Sequence, residues 1–451
     1  MKTYKLKIVA ALITLFFVSS CNDKLDVTDP DAISDELSLS NDKNVKSTLL
    51  GAYDGLSQSG LFGGEVLLNS ELLASNGEVV FSGTFNDPAD IWRKIMTTTN
   101  GDVSTFWIES YNTINVCNNV LSALDVVNED DRDQVEGEAL FLRGLTYFEL
   151  VKYFGQPYSA GNSSSNLAVP LMLVDDRNSL EQPDRATVEE VYTQILEDLT
   201  TAESQLAEGQ VSGRASKEVA AAILSRVYLQ MANYAEARDA ANRVIESDVY
   251  SLNNSYAACF NNATTNEDIF DIPVLTQDGV NSMQTYYAAT TEGGRGDVEV
   301  QQEHLDLYTS DDERLDLFYI DESTDEIRVG KWVYLYGNVK IVRLAEMYLT
   351  RAECNFRLAT AIGDTPLNDV NLIRDRAGLT DLGTVDLAQI LHERRLELAH
   401  EGHHLHDVKR LQESVTEGTI VFDYDDDKLV FPIPQRERNV NTNLIQNPGY
   451  N

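Results

Sequence analysis

Apolar residues recur along most of this 451-residue chain at the three- and four-residue spacing of an amphipathic helix. Leu387, Ile390, Leu391, Arg394 and Leu398 share one such face, and the spacing predicts a helix that runs on through 393–410, interrupted at Gly402. Arg394 sits inside the apolar stripe. An unpaired buried charge is costly, so it is expected to be paired, with Glu397 and Glu401 placed one and two turns on. The same periodicity predicts helices over 44–57, where Leu49, Leu50 and Tyr53 are apolar, and over 106–124, 135–158 and 188–206. Gly155 and Pro157 end the third of these, and Arg143 inside it reads as a second paired structural charge.

Two stretches share one supersecondary logic. Within 216–246, Leu224, Tyr228 and Ala237 match positions of the tetratricopeptide pattern, with Asn233 and Tyr234 at the turn. RLAEMYLTRAECNFRL, over 343–358, begins a second pair that continues past Gly363, Asp364 and Pro366 into LNDVNLIRDRAGL. A repeat of this kind buries its face only against its neighbours, so the pairs are expected to stack. The predicted class is mainly α: a TPR-like helical-repeat scaffold with long loop-rich insertions and a few short strands.

The insertions are 60–101, rich in Gly, Asn, Ser and Thr and holding Phe81, Phe85 and Trp92, and 250–336, where the helical pattern breaks and short strands are expected. Irregular segments of this length in a compact chain commonly carry function. Residues 419–433 read as two strands around the acidic run 423–428. That run lacks the Gly and distal Glu of an EF-hand loop and reads as a solvated turn.

Charge narrows the partners. With 35 basic and 73 acidic residues the chain carries a formal charge of −38, which repels nucleic acid and anionic membrane and argues against strongly anionic polysaccharides. Lys2, Lys5 and Lys7 precede an apolar run over 8–18, too short to span a bilayer but suited to a signal-peptide core. Val18-Ser19-Ser20-Cys21 follows and reads as a lipoprotein processing site that leaves Cys21 lipidated. The chain is thus expected to comprise a signal peptide over 1–20, a polar, acidic tether over 21–44 and a body over 45–451. Cys117, Cys259 and Cys354 form an odd set without paired spacing, and are expected to be buried thiols, not a disulfide framework or metal site.

His400-Glu401-Gly402-His403-His404 matches H-E-x-x-H, whose chemistry needs two imidazoles one helical turn apart, a general base and a third ligand. The extended motif would place Gly at 407 and His at 410, where this chain has Asp407 and Arg410, and Gly402 weakens the helix. No metal and no cofactor is expected.

ERRLELAHEGHHLHDVKR, over 393–410, resembles the C-terminal signature of the SusD/RagB family, ERR-x-ELA-F-EG-H-R, then two aromatics, then D-L-R-R. His400 stands where that pattern has an aromatic, His404 where it has Arg, and Leu405 and His406 replace the aromatics. The H-E-x-x-H match therefore arises where the chain departs from the pattern. FW-x3-Y-x2-IN-x2-N from Phe106, VEGEALFLRGLTYFELVKYFGQPY over 135–158 and FPIPQRERNVNTNLIQNPGY over 431–450 resemble further family stretches. Asp23, Asp26 and Asp29 resemble its surface-export tether.

The resemblance implies a lipid-anchored, surface-exposed outer-membrane protein that captures an oligosaccharide or polysaccharide and closes over a SusC-like TonB-dependent transporter. Capture of oligopeptides is the alternative within the family, and a glycan-acting enzyme with two carboxylates about 5–10 Å apart is a further one. Sugar rings offer apolar C–H faces to Trp and Tyr, while their hydroxyls suit Asn, Asp, Glu and Arg. The two insertions supply the candidates Asn76, Glu78, Trp92, Tyr286, Tyr287, Arg295, Asp297, Trp332 and Tyr336, expected to meet in one shallow site with Trp92 and Trp332 as its platforms.

Overall fold

The computed structural model describes residues 35–175, 182–277 and 279–450; Cys21 and the signal segment lie outside the described residues. Helices α1 (Asp35–Ser38) and α2 (Asp42–Leu56) open it, followed by α3 (Glu65–Leu73), α4 (Asn86–Trp92), α5 (Gly101–Ser122) and α6 (Glu129–Phe154). Next come α7 (Val188–Gln205), α8 (Lys217–Gln230), α9 (Tyr234–Glu246), α10 (Ser282–Tyr287) and α11 (Gln302–Leu305). The last are α12 (Leu344–Leu358), α13 (Pro366–Arg376), α14 (Leu387–Glu397), α15 (His404–Leu411) and α16 (Gln435–Val440).

The scaffold is the expected stack of antiparallel helices. Helix α2 packs on α5, α5 on α6, and α6, α7 and α8 each on the next; α9 then packs on α12, which holds α13 and α14. Local chemistry sets several starts. A capping box joins Thr187 and Glu190 at α7, another joins Asp386 and Gln389 at α14, and Thr365 caps α13 ahead of Pro366. Arg143 of α6 is paired as expected, donating to Asp198 of α7 at 2.7 and 2.8 Å and to Asn118 of α5. The three described cysteines are free and buried, and burial pushes their thiols up to about 12.

Strands β1 (Val79–Phe81), β2 (Asp268–Ile272), β3 (Val298–Val300), β4 (Phe318–Asp321), β5 (Glu326–Val329), β6 (Val339–Arg343), β7 (Val415–Glu417) and β8 (Ile420–Phe422) are short. They form an antiparallel sheet of order β1-β3-β5-β4 and the pairs β2-β6 and β7-β8.

Two expectations are corrected and one is sharpened. The 60–101 insertion is not irregular throughout: it holds α4 and also α3, EVLLNSELL, which is buried along almost its whole length. Its polar Asn69, Ser70 and Glu71 are buried together with its apolar residues, so no amphipathic period betrays it. The interruption expected at Gly402 is a full break: 393–410 forms two helices, α14 and α15, split where His400 (φ 61°) and Gly402 (φ 82°) turn left-handed. A Cβ at Gly402 would lie 2.8 Å from the Leu67 Cα of α3, so the break is also a close backbone contact. His400 lies in the break and His404 opens α15, so the two imidazoles do not stand on successive turns of one helix. Finally, the C-terminal hairpin turns at Gly418 (φ 59°), between β7 and β8, and not over 423–428.

The partners of the signature carboxylates also differ from expectation. Arg394 pairs with Asp407 at 3.0 Å, whereas Glu397 and Glu401 serve cations from other elements. Arg343, at the end of β6, reaches Glu401 at 2.8 Å, Glu267 at 2.7 Å and Glu397 at 2.9 Å. Arg376 joins Glu267 and Glu397, Lys331 joins Glu401 at 2.8 Å, and Arg314 joins Asp312 at 2.7 Å and Glu393 at 2.6 Å. Burial alone would raise the Glu397 carboxyl, but Arg376, Arg343 and Arg314 outweigh it and hold it at about 2. This charge hub ties the 250–336 segment to α13 and α14.

Candidate functional site

The two insertions meet, as expected, through backbone pairing. Strand β1 runs antiparallel to β3 with Val79 opposite Val300 and Phe81 opposite Val298, and the Ser82 amide extends the ladder to the Asp297 carbonyl at 2.8 Å. A second contact joins helix starts: the Ser282 amide donates to the Gly63 carbonyl at 2.7 Å, so the beginnings of α3 and α10 abut. Gly83 permits a third, because a Cβ there would fall 2.5 Å from the Asp297 carboxyl carbon.

Above this junction lies an aromatic and charged cluster. Tyr286 is 8 % exposed and packs against Phe81, with ring centroids 6.2 Å apart, and against the edge of Phe85 at 6.3 Å. Phe85 remains 45 % exposed. The Arg295 guanidinium lies 4.1 Å from the Phe85 ring centroid, donates to Asp297 at 2.7 Å and reaches Thr84 Oγ1 at 3.1 Å. A planar cation and an aromatic ring thus reach the surface together, held from beneath by a buried carboxylate.

The surrounding field is acidic. Burial, then Asp102 and Glu109, raises the Glu65 carboxyl to about 8. Burial, then Asp87, raises Asp102 to about 7. Burial and then Glu65, Asp102 and Asp297 push the Tyr286 phenol upward. Arg295 opposes them but is already engaged by Asp297.

Of the nine residues picked from sequence, Tyr286, Arg295 and Asp297 are brought together. Trp92 flanks them, half-buried, its indole N–H donating to the Val79 carbonyl of β1 at 3.0 Å. Tyr336 is exposed but pairs with Tyr334, ring centroids 6.0 Å apart, on a turn tied to α10 by an Asn281 to Gly337 hydrogen bond. The other four serve the fold. Trp332 is 2 % exposed, packs near Phe260 and donates to the His400 carbonyl at 3.1 Å, so its ring face is not a platform. Tyr287 is fully buried beside His400. Glu78 faces Arg395 at 3.3 Å, and Asn76 accepts from the Thr416 amide at 2.9 Å, which anchors the β7-β8 hairpin. Phe85, Glu65 and Asp102 were not picked. Phe85 carried a readable signal, an aromatic between Gly83 and the helix start Asn86-Asp87-Pro88; the two acids carried none among 73.

A stack of helical hairpins with one loop-built face is a repeat-protein design for surface binding. Residues 24–229 match a family profile described as "Starch-binding associating with outer membrane", and residues 331–450 match one described as "SusD family". SusD-like protein P2 of Formosa agariphila is 25 % identical over the whole of both chains, and starch-binding protein SusD of Bacteroides thetaiotaomicron is 24 % identical over 69 % of this chain and 72 % of its own. The crystal structure of a putative sugar binding protein from Bacteroides vulgatus superposes with a TM-score of 0.82 at 27 % identity, covering 91 % of this chain and 98 % of that one. The chain belongs to the SusD/RagB family.

Proposed function

We propose that this protein binds a glycan at the outer-membrane surface, held there by a lipid on Cys21, and delivers it to a SusC-like TonB-dependent transporter. The names borne by its relatives, a starch-binding and a putative sugar binding protein, support the ligand class. The observation that carries the reading for this chain is the junction of the two insertions, where exposed Phe85 and Arg295 stand over Asp297 and Tyr286. The ring offers a stacking surface for a sugar's C–H face, and the guanidinium fork and carboxylate suit vicinal hydroxyls. Among the described residues no helix is long and apolar enough to cross a membrane.

A glycan array probed with the wild-type protein and with Phe85→Ala, run beside a peptide panel, tests the ligand class. Selective glycan binding that falls in the variant supports the reading, and selective peptide binding overturns it. Glu65 and Asp102, carboxyls raised toward neutrality beside Tyr286, favour one second reading, hydrolysis of the captured glycan. Ligand bound without release of new reducing ends excludes it. Cys21→Ala is expected to release the protein from the membrane fraction.

A further inference from the structure

Farther along α5 is a cavity of about 380 Å³ that shares no lining residue with the junction. Tyr111 lies at its floor, nine residues on from Asp102, or about 14 Å along the helix axis. Its walls come from α5, the segment 170–174 and the C-terminal segment that begins with α16.

Internal hydrogen bonds hold these walls in place. The Tyr111 hydroxyl donates to the Pro170 carbonyl at 2.8 Å, and the Asn118 amide to the Met172 carbonyl at 2.9 Å. On the far side Asn441 donates to the Pro183 carbonyl at 2.8 Å. The Trp107 ring backs Tyr111 at 5.0 Å and is itself braced edge-on by Phe154 at 4.9 Å. The cavity therefore exists before any ligand arrives, which lowers the ordering cost of binding.

Its open polar groups are of another kind from those at the junction. Asn112 and Asn115, one turn apart on α5, present exposed amides without a hydrogen-bond partner among the described residues. Arg436 and Glu437 stand 3.9 Å apart and offset each other. Aromatic rings, aliphatic side chains, prolines and the already bonded Asn118 and Asn441 supply the rest of the lining. In a chain of formal charge −38, this is a locally neutral pocket of amides and rings, with a volume in the range of small-ligand sites. Amides that both donate and accept match hydroxyl groups, which do the same, and the rings match an apolar face.

We propose that this cavity is a second, independent site for a neutral saccharide, with Asn112 and Asn115 reading its hydroxyls. The test uses the purified full-length protein carrying Arg295→Ala, which disables the junction, and three neutral probes: maltotriose, cellotriose and N,N′,N″-triacetylchitotriose. Saturation-transfer NMR and calorimetry are expected to show at least one probe still bound, one per chain. Adding Asn115→Trp, which fills the cavity, should abolish that binding. Asn112→Ala with Asn115→Ala, milder and exposed, should weaken it at least tenfold with an unchanged thermal melt. Binding that persists in both cavity variants overturns the proposal, as does failure of all three probes to bind the Arg295→Ala protein. In the wild-type background the same cavity variants leave the junction intact, so loss of one binding event there is distinguishable from failure of the junction reading.

Discussion

Charge is managed in opposite ways at two places where the 250–336 segment meets the rest of the chain. At the hub every buried carboxylate faces a cation: Glu397 has Arg343 and Arg376, Glu401 has Lys331 and Arg343, and Glu393 has Arg314. At the junction with 60–101 acids crowd round a single arginine that Asp297 already engages, and Glu65 and Asp102 keep their protons toward neutral pH instead. Compensated charge fixes one arrangement of the backbone. Carboxyls that stay protonated for want of a cation, beside an exposed ring, are not used to hold the fold and are available to a ligand.

The largest expected effect comes from breaking the compensation. Arg343→Met leaves Glu267, Glu397 and Glu401 short of a partner in the interior, and should cost about 3–5 kcal/mol in urea unfolding. A loss below about 1 kcal/mol would mean that the hub is not what holds the segment.

The two regions should also respond oppositely to pH. Glu65 is raised in the folded state from 4.5 to about 8, so between those values the native protein holds a proton that the unfolded chain has released. Stability from this group therefore falls as pH rises through that window, and Glu65→Gln should stabilise by on the order of 2–4 kcal/mol above pH 8 and by nothing below 4.5. Glu397 is held down from 4.5 to about 2, so its contribution is complete above 4.5 and is lost as pH falls toward 2. Urea midpoints measured across pH for the wild type and Glu65→Gln check both slopes.

Smaller effects separate the two tryptophan and phenylalanine positions. Trp332→Phe removes a buried hydrogen bond to the His400 carbonyl and some ring volume, and should cost about 1–3 kcal/mol. Phe85→Ala, at a half-exposed ring, should shift stability by no more than about 0.5 kcal/mol.

The scaffold was legible because amphipathic helices announce themselves: Leu224 and Ala237 of the α8-α9 pair are buried, as their spacing requires. Helix α3 was not, since a segment buried on every side shows no period. The meeting of the two insertions was readable from shared composition, but burial within them was not. Trp332 and Tyr287 look like Trp92 and Tyr336 in sequence, and only tertiary packing against His400 separates core rings from rim rings. The partners of Glu397 and Glu401 come from 314, 331, 343 and 376, at distances along the chain that helical spacing cannot reach.

Affinity at the two aromatic positions decides the account. With the neutral glycan selected by the array, calorimetry of Phe85→Ala and Trp332→Phe should be run side by side on protein shown to be folded. A stacked ring is worth on the order of 1–2 kcal/mol, so Phe85→Ala should bind roughly tenfold more weakly while Trp332→Phe binds as the wild type does. Unchanged affinity in Phe85→Ala together with a tenfold loss in Trp332→Phe would contradict the assignment of the junction as the ligand face.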